Sequence, residues 1–451
     1  MGYIRSHQRT GRYQYMYKIN FKKPIHIHFI GIGGISMSGL AEILLREGFT
    51  VSGSDRTASA PTEHLSSMGI PVFIGQNASN LGDTIDLVVY TAAIASDNPE
   101  FVAAKKRNLP LLTRAELLGQ IMDNYSNSIA VAGTHGKTTT TSIISQIFLT
   151  AECDPTITVG GILPAIGSNL KVGHSDTFIS EACEYTNSFL HFYPKYRVIL
   201  NVEAEHIDFF KDLDDIRASF RKFACNTKAG GAVIINGDIP DYRGLVDGIA
   251  ARVITFGQDE TSDYYPADIT FDDHARATFT AMHHGEPVLT VSLGVPGMHN
   301  VMNSLAAIAL TLDAGLSEEI IADGLSSFGG TERRFQYKGC VNGVTIIDDY
   351  AHHPTEIEAT LNAAAAWPHN RLVLAFQPHT YSRVKAFLPD FVKVLSMADL
   401  VVLTDIYAAR EKNIYGVSSQ DILVRLKERG VDCRYFPTFP EVEQFLLENC
   451  M

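Results

Sequence analysis

One short loop has the residue types and the spacing of a polyphosphate site. The loop follows an apolar run that ends at Ala132. Its residues are Gly133, Thr134, His135, Gly136, Lys137, Thr138 and Thr139. Backbone N–H groups at a helix start bind phosphate oxygens, Lys137 would reach the β and γ oxygens, and the Thr138 hydroxyl would coordinate Mg²⁺. A usual phosphate loop has four residues between its glycines, whereas this loop has two. The sequence predicts a shortened nucleotide loop, and a threonine-rich helix start is the alternative.

A second glycine loop is typical of a diphosphate site. It follows an apolar run that ends at Ile30 and contains Gly31, Gly33, Gly34, Ile35 and Ser36. Ser36 stands where the dinucleotide fingerprint has its third glycine, and Asp55 lies roughly where that fingerprint has a ribose-binding acid. Such a loop holds any diphosphate, so it fits a nucleotide-sugar as well as NAD. A tight turn without a ligand is the third alternative.

Acidic residues cluster after two further strand-like runs. Glu181 and Glu184 follow the first run, and Glu203, Glu205 and His206 follow the second. The carboxyl ends of parallel strands meet at one edge of a sheet, which is also the edge that carries the phosphate loop. Carboxylate and imidazole groups beside polyphosphate suit a divalent metal ion. We expect a metal site here, with surface or core packing as the alternative for His206.

Amide and imidazole side chains precede an alanine-rich helix predicted over 304–309. His299, Asn300 and Asn303 lie in this segment. Such groups either cap the helix or form hydrogen bonds with an adenine edge, and the sequence leaves both alternatives open.

Three polar loops in the last third of the chain follow strand-like runs. They cover residues 348–356, 377–383 and 405–411 and predict a binding face. Arg383 is suited to a carboxylate or phosphate, and Arg334 lies where a closing domain could hold phosphates. For each arginine, a solvated surface position is the alternative.

Three α/β units are needed to position these residues. Strand-like and helix-like runs alternate in three series, which predicts an α/β fold with parallel sheets. A strand at 344–348 is expected to open the third series. The predicted parts are an N-terminal extension (1–16), a Rossmann-like domain (17–116), a central phosphate-loop domain with a parallel sheet (117–331) and a Rossmann-like domain (332–451).

Composition narrows the class of protein. The 451 residues include 37 Lys and Arg against 50 Asp and Glu, which gives a net charge of −13. An acidic chain argues against bulk binding to nucleic acid. No apolar run approaches the length of a membrane helix, and the six cysteines are scattered, which is typical of reduced thiols. We therefore expect a soluble enzyme of the cytoplasm.

Taken together, these segments resemble the Mur ligase family. The matching motifs, in chain order, are GIGGISMSGLAE, GTHGKTTTT, EACEY, NVEAEHID, HNVMN, RRF, DDYAHHPTE, QPHTYSR and DIYAARE. The resemblance implies ATP-dependent attachment of L-alanine to the lactyl carboxylate of UDP-N-acetylmuramate, through an acyl phosphate, in peptidoglycan precursor synthesis. It implies ATP and Mg²⁺ (or Mn²⁺) as cofactors, no nucleic-acid or membrane partner, and a monomer or weak homodimer.

The resemblance also implies roles for the matched residues. The UDP-sugar would lie against the loop from Gly31 to Ser36, with Asp55 and Thr91 toward the uridine. Lys137 would contact ATP, Thr138 and Glu181 would hold one metal ion, and His206 would serve a second. The residues implied at adenine, ribose and phosphates are His299, Asn300, Asn303, Arg334 and Asp349. Those implied at the reacting carboxylate and the amino acid are Tyr350, His352 and Arg383.

Two departures from the family pattern stand out. Thr380 replaces an arginine found in many relatives, and Arg410 is a possible substitute. A glycine-rich strand usual near the family's C-terminus is missing, so the third domain is expected either complete or without its last strand. Two rival enzymes are a recycling ligase that joins a murein tripeptide to the same sugar and a nicotinamide-dependent Rossmann oxidoreductase. A non-catalytic nucleotide-binding regulator is the third rival.

Overall fold

The computed structural model describes residues 3–5, 15–91, 93–206, 209–409 and 411–450. Its first two strands, β1 (Tyr3–Arg5) and β2 (Tyr15–Tyr17), pair antiparallel with each other. The predicted N-terminal extension is therefore described only in these strands, and Arg410 lies outside the described residues. Within these ranges, no helix combines the length and the apolar character that crossing a membrane requires.

A five-stranded parallel sheet in the order β5-β4-β3-β6-β7 forms the first domain. Its elements are β3 (His26–Ile30), α1 (Ile35–Arg46), β4 (Thr50–Asp55), α2 (Ala60–Ser67), β5 (Val72–Ile74), β6 (Leu87–Tyr90), α3 (Pro99–Lys106), β7 (Leu111–Thr113) and α4 (Arg114–Asp123). The strand order reverses at β3, where Ile27, Phe29 and Ile30 are fully buried. The glycine loop after β3 thus lies at the topological switch point, where doubly wound sheets bind ligands.

A ten-stranded sheet forms the central domain, in the order β10-β9-β11-β8-β12-β13-β14-β15-β16-β17. Its elements are β8 (Asn127–Ala132), α5 (Lys137–Thr150), β9 (Thr156–Leu163), β10 (Ser168–Lys171), β11 (Thr177–Glu181), β12 (Tyr196–Ile199), α6 (Leu213–Cys225), β13 (Ala232–Asn236), α7 (Arg243–Val246), β14 (Arg252–Phe256), β15 (Tyr264–Phe271), β16 (Arg276–His283), β17 (Glu286–Pro296), α8 (Met298–Asp313) and α9 (Glu318–Ser327). Strands β9, β11, β8, β12, β13 and β14 are parallel.

The predicted parallel sheet holds for the strands around the phosphate loop, but antiparallel strands extend it at both edges. β10 pairs antiparallel with β9, and β15, β16 and β17 form an antiparallel meander. The turns that join these last strands are too short for the crossover that a parallel pair requires.

Apolar residues cover both faces of the central sheet. On one face, Ile143 and Ile147 of α5 pack with Leu305 of α8 in one cluster. On the other face, Phe220 of α6 shares a cluster with Ile121 of the first domain. The first domain is therefore joined to the central sheet by a continuous core.

The C-terminal domain consists of a hairpin followed by a three-stranded parallel sheet in the order β20-β21-β22. Its elements are β18 (Gln336–Val341), β19 (Val344–Asp348), α10 (Pro354–Ala365), β20 (Val373–Phe376), α11 (Tyr381–Ala386), α12 (Leu388–Leu395), β21 (Leu400–Leu403), α13 (Ser419–Glu428), β22 (Asp432–Tyr435) and α14 (Phe439–Cys450).

The strand predicted at 344–348 exists, but its expected place in the parallel sheet is wrong. It pairs antiparallel with β18 across the turn Asn342–Gly343, where both residues have positive φ. Such a turn produces a tight hairpin. The predicted domain boundary near 116 falls within α4, and that near 331 falls between α9 and β18. Both boundaries stay predictions.

Candidate active site

The phosphate loop connects β8 to α5 at the carboxyl edge of the central sheet. Gly133 has φ 150° and Gly136 has φ 82°, values that side chains disfavour. A Cβ on Gly136 would lie 2.8 Å from Oδ1 of Asn303. The sequence analysis missed Asn201, which accepts from the backbone N–H of His135 at 2.7 Å and donates to its carbonyl at 3.1 Å. The loop is thus held open and tied to the end of β12.

Lys137 and His206 share one buried carboxylate. Glu184, which is 2% exposed, lies 3.2 Å from Nζ of Lys137 and 3.2 Å from Nε2 of His206. Burial opposes the charged forms, but the opposite charges outweigh it, raising the pKa of Lys137 and lowering that of Glu184. Glu184 belongs to the acidic cluster that the sequence analysis found, but of the EACEY motif only Glu181 was predicted to bind metal.

Thr138 and Glu181 face the same small space beside Gly160. A Cβ on Gly160 would lie 2.9 Å from each carboxylate oxygen of Glu181 and 3.1 Å from Oγ1 of Thr138. The backbone N–H of Gly160 also donates to Glu181. A carboxylate and a hydroxyl that face one space are oxygen donors of the kind that Mg²⁺ selects, so these residues fit the implied ion.

A cavity of about 490 Å³ runs from the phosphate loop to the C-terminal domain. Its lining includes His135, Gly136, Thr138, Thr139, His299, Asn300, Asn303, Arg334, Asp349 and Trp367. The sequence predicted that the adenine candidates precede a helix. They lie on the helix instead, because α8 begins at Met298. Nη2 of Arg334 lies 3.5 Å from Oγ1 of Thr138. The cavity thus joins the phosphate loop, the start of α8 and the third domain.

The carboxylate of Asp349 accepts hydrogen bonds from neighbouring protein groups. Its carboxylate accepts from the N–H groups of Phe335 at 2.8 Å and Ala351 at 2.7 Å, and from the Thr360 hydroxyl at 3.2 Å. Burial raises the pKa of Asp349 and outweighs these hydrogen bonds, which lower it. In this state Asp349 positions the segment that contains Arg334 and Tyr350.

A smaller cavity of about 230 Å³ lies between the first and central domains. Ile35 and Ser36 line it together with Gly160 and Glu181. Asp55 instead accepts from the backbone N–H of Gly33 at 2.8 Å. Similarly, the methyl group of Thr91 would lie 2.8 Å from a Cβ on Gly31. Asp55, Thr91 and the glycines therefore shape the loop, while Ile35 and Ser36 reach the cavity.

Arg383 of the third domain reaches the central domain. Its Nη2 donates to Glu205 at 2.7 Å, and its Nη1 lies 2.8 Å from Nδ1 of His379. Burial opposes the charge on Glu205, but Arg383 outweighs it and lowers the pKa of Glu205 to about 2. Arg383 is thus a buried, charged donor at the domain interface.

Tyr350 and His352 lie beside this interface. The guanidinium of Arg333 lies over the Tyr350 ring, with its Cζ 4.8 Å from the ring centre. The Cζ of Arg334 lies 5.8 Å from the same ring centre. Nδ1 of His352 lies 2.8 Å from the carbonyl oxygen of Tyr350. A carbonyl only accepts, so this contact places the His352 proton on Nδ1 and leaves Nε2 as a proton acceptor.

The fold and these contacts define a class of protein: a three-domain α/β enzyme with a nucleotide-phosphate loop at the junction of its domains. Family models cover most of the chain. The Mur ligase catalytic domain model matches residues 26–126, the middle domain model matches 131–311, and the glutamate ligase domain model matches 333–450. The chain belongs to the Mur ligase family, as the sequence predicted.

Comparison with individual proteins shows which members of the family this chain is similar to. The chain is 67% identical over 436 residues to UDP-N-acetylmuramate–L-alanine ligase of Agathobacter rectalis, with 97% of this chain and 95% of the relative covered. It is 31% identical to the solved UDP-N-acetylmuramate-alanine ligase of Thermotoga maritima, with a TM-score of 0.76 and 93% and 92% of the two chains covered. A murein peptide ligase of Psychrobacter arcticus shares the fold at 24% identity, with a TM-score of 0.68 and 94% and 93% covered.

Proposed function

We propose that this chain joins L-alanine to the lactyl carboxylate of UDP-N-acetylmuramate with the conversion of ATP to ADP and phosphate. The observation that carries the proposal is the 67% identity to a ligase of this name over nearly the full chain. The three family-model matches support an enzyme of this type and disfavour a nicotinamide oxidoreductase or a non-catalytic regulator. A cytoplasmic location and a monomeric or weakly dimeric state stay predictions.

The two cavities support separate binding sites for the UDP-sugar and ATP. The smaller cavity, with Ile35 and Ser36 on one wall, would take the UDP-sugar. The larger cavity would take ATP, with its adenine near His299, Asn300 and Asn303. Glu181 lines the smaller cavity and Thr138 the larger one, and the two side chains meet beside Gly160. The sugar carboxylate and the γ-phosphoryl group would therefore meet there.

The first step would be phosphoryl transfer. A free carboxylate is a poor electrophile, so the lactyl carboxylate attacks the γ-phosphorus in line and forms an acyl phosphate and ADP. Lys137, on exchanging Glu184 for phosphate, and Arg334 would neutralise the transferred group, while the N–H groups of the phosphate loop hold it in place. Thr138 and Glu181 would hold one Mg²⁺ ion and His206 a second, and these ions would supply charge neutralisation between the two anions.

The second step would be amide formation. Arg383 is suited to the carboxylate of L-alanine, which would replace Glu205 as its partner. Nε2 of His352 would take a proton from the alanine amine, because Nδ1 already donates to Tyr350. The amine then attacks the acyl carbon, and phosphate leaves.

Isotope transfer tests this sequence of steps. With oxygen-18 in the lactyl carboxylate, label should appear in the released phosphate, and ADP, phosphate and amide should form in equal amounts. Lys137→Ala should abolish both product and label, whereas Lys211→Ala, a lysine with an 86% exposed side chain, should retain both. Formation of AMP and pyrophosphate would show activation by adenylation and would refute the mechanism.

Competition between amino components tests the substrate assignment. The recycling ligase acts on the same sugar, and the Psychrobacter arcticus murein peptide ligase shares the fold. We expect ADP release with UDP-N-acetylmuramate to depend on L-alanine and to be negligible with a murein tripeptide. Faster release with the tripeptide would reverse the assignment.

A further inference from the structure

Three side chains outside the proposed metal site bring metal-ligating atoms together. His135 lies in the phosphate loop, Glu203 follows β12, and His353 immediately precedes α10 of the third domain. One donor atom from each lies within 4.8 Å of the other two. The imidazole rings of His135 and His353 lie 4.6 Å apart between their centres. Two histidines and a carboxylate are therefore gathered at the interface of the central and third domains.

Two buried nitrogens of these residues have no hydrogen bond among the described residues. His353 is 4% exposed, and its Nε2 forms no hydrogen bond, although a carboxylate oxygen of Glu205 lies 3.7 Å from it. Nε2 of His135 is likewise buried without a hydrogen bond inside the described ranges, and it lies 3.5 Å from a carboxylate oxygen of Glu203. Nδ1 of His135 contacts Glu356 at 3.2 Å. In metal sites, a carboxylate on one ring nitrogen orients the other toward the ion.

We propose that His135, Glu203 and His353 bind a divalent transition-metal ion of the Zn²⁺ type that joins the phosphate loop to the third domain. Two imidazoles and one carboxylate with an open fourth position are a known zinc ligand set, whereas Mg²⁺ selects oxygen ligands. Ligands of a tetrahedral zinc ion lie about 3.4 Å apart, given Zn–N distances of about 2.0–2.1 Å. The contact between His135 and Glu203 already has this length.

Binding requires local rearrangement: the donor atoms, which lie within 4.8 Å of one another, must approach to about 3.4 Å, and one hydrogen bond must be lost. Nδ1 of His353 accepts a hydrogen bond from the N–H of Thr355, but this contact is long, at 3.4 Å. With a metal ion on Nε2, the neutral ring carries its proton on Nδ1, so this bond is lost. Glu356 still accepts from the N–H groups of His352 and His353 and keeps the start of α10 in place.

The proposed ion would act as a tether. His135 and Glu203 belong to the central domain and His353 to the third domain, so one bound ion fixes the two domains relative to each other. His135 also lines the ATP cavity, so a bound ion would slow any step that needs the domains to separate. This inference does not rest on the proposed reaction.

Cobalt absorption tests the site in the full chain without ATP. Co²⁺ should bind one per chain with the strong visible bands of a low-coordinate centre, and equimolar Zn²⁺ should abolish them while excess Mg²⁺ should not. His353→Asn, which keeps a good helix-capping side chain, should weaken Co²⁺ binding at least about tenfold. Glu203→Gln, which can still accept from Thr355, should do the same.

Two further variants separate this site from others. His174→Ala removes an exposed histidine next to Asp154 and should leave Co²⁺ binding unchanged. His206→Ala removes the histidine expected at the Mg²⁺ site and should also leave the bands in place. The proposal is overturned if wild type shows no such bands, if His206→Ala abolishes them, or if His353→Asn and Glu203→Gln both bind Co²⁺ like wild type.

Discussion

Two cationic residues at the site are already paired with carboxylates. Lys137 contacts Glu184, and Arg383 contacts Glu205. A buried cation without a partner is costly, so these acids stabilise the cations in the absence of another anion. In the proposed reaction, phosphate or carboxylate would replace each acid as the anionic partner.

The proposed role of His352 as general base leads to a prediction for a single residue. His352→Ala should lower the rate of amide formation about 100-fold or more, because general-base catalysis contributes that much. Acyl phosphate should still form, since Lys137 is intact, and hydroxylamine should trap it at a rate close to that of wild type. Exposed His369 provides a matched control, and His369→Ala should keep the full rate. Loss of the trapped product in His352→Ala would instead place His352 in the first step.

Three adjacent parallel strands assemble the site at the scale of elements. β11, β8 and β12 end at the same edge of the sheet, where Glu181, the phosphate loop and Asn201 follow one another. Gly160 of the neighbouring β9 completes the edge, because its missing side chain leaves the space that Thr138 and Glu181 face.

Filling this space should impair the metal site without unfolding the domain. In Gly160→Ala, the new Cβ would lie 2.9 Å from the end of the Glu181 side chain, which can turn away. We expect the Mg²⁺ concentration for half-maximal activity to rise about tenfold, with an unchanged melting temperature. Gly82→Ala, which meets no atom within 4 Å, is the control. An unchanged Mg²⁺ dependence would exclude Glu181 as a ligand.

A buried acid joins two elements of the first domain. Glu100, fully buried, accepts from Ser54 of β4 at 2.6 Å and from the N–H of Asn77 at 3.1 Å, and Asn80 also donates to it. Burial alone would raise its pKa, but the imidazole of His28, 3.6 Å away, and hydrogen bonds from Ser54 and Asn80 lower it below the usual value.

Acid should therefore weaken the first domain through Glu100. A carboxyl whose folded pKa is lowered stabilises fully above its unfolded pKa, and this contribution is lost as the pH falls through the folded pKa. Glu100→Gln should cost about 2 kcal/mol of unfolding free energy at pH 7, and this difference should shrink below pH 4.5. Denaturant unfolding at several pH values measures it, and a difference independent of pH would contradict the role of the charge.

At the scale of the whole molecule, the third domain is held against the central domain by a few polar contacts. Besides Arg383 with Glu205, the Thr355 hydroxyl donates to Glu203 at 3.1 Å, and His135 contacts Glu356. An interface of this kind is compatible with domain motion, because each contact can be exchanged for water or substrate.

Weakening one contact should shift the molecule toward an open form. In Glu205→Gln the charged partner of Arg383 is lost, so the radius of gyration without ligands should exceed that of wild type. Small-angle scattering should show compaction when UDP-N-acetylmuramate and a non-hydrolysable ATP analogue are added. Asp241→Asn, which alters an exposed carboxylate paired with Arg217 within the central domain, should scatter like wild type. Equal radii for Glu205→Gln and wild type would contradict the role of this contact.

Sequence alone determined the family and the α/β class, and it predicted the phosphate loop. Such features are local: directly after a strand end, two glycines, a lysine and threonines lie within seven residues, 133–139, and their order predicts a phosphate site. The predicted adenine segment lies on a helix that starts six residues earlier, at Met298, than predicted, and its adenine role stays a prediction.

Tertiary structure alone decided which partner each functional group has. His135 meets Glu356 across 221 positions of the chain, Arg334 meets Thr138 across 196, and Arg383 meets Glu205 across 178. Packing of whole domains sets these distances, and no periodicity or spacing along the chain encodes it. The pairing of β19 is a different case, because the turn Asn342–Gly343 is a local hairpin signal that the sequence analysis did not use.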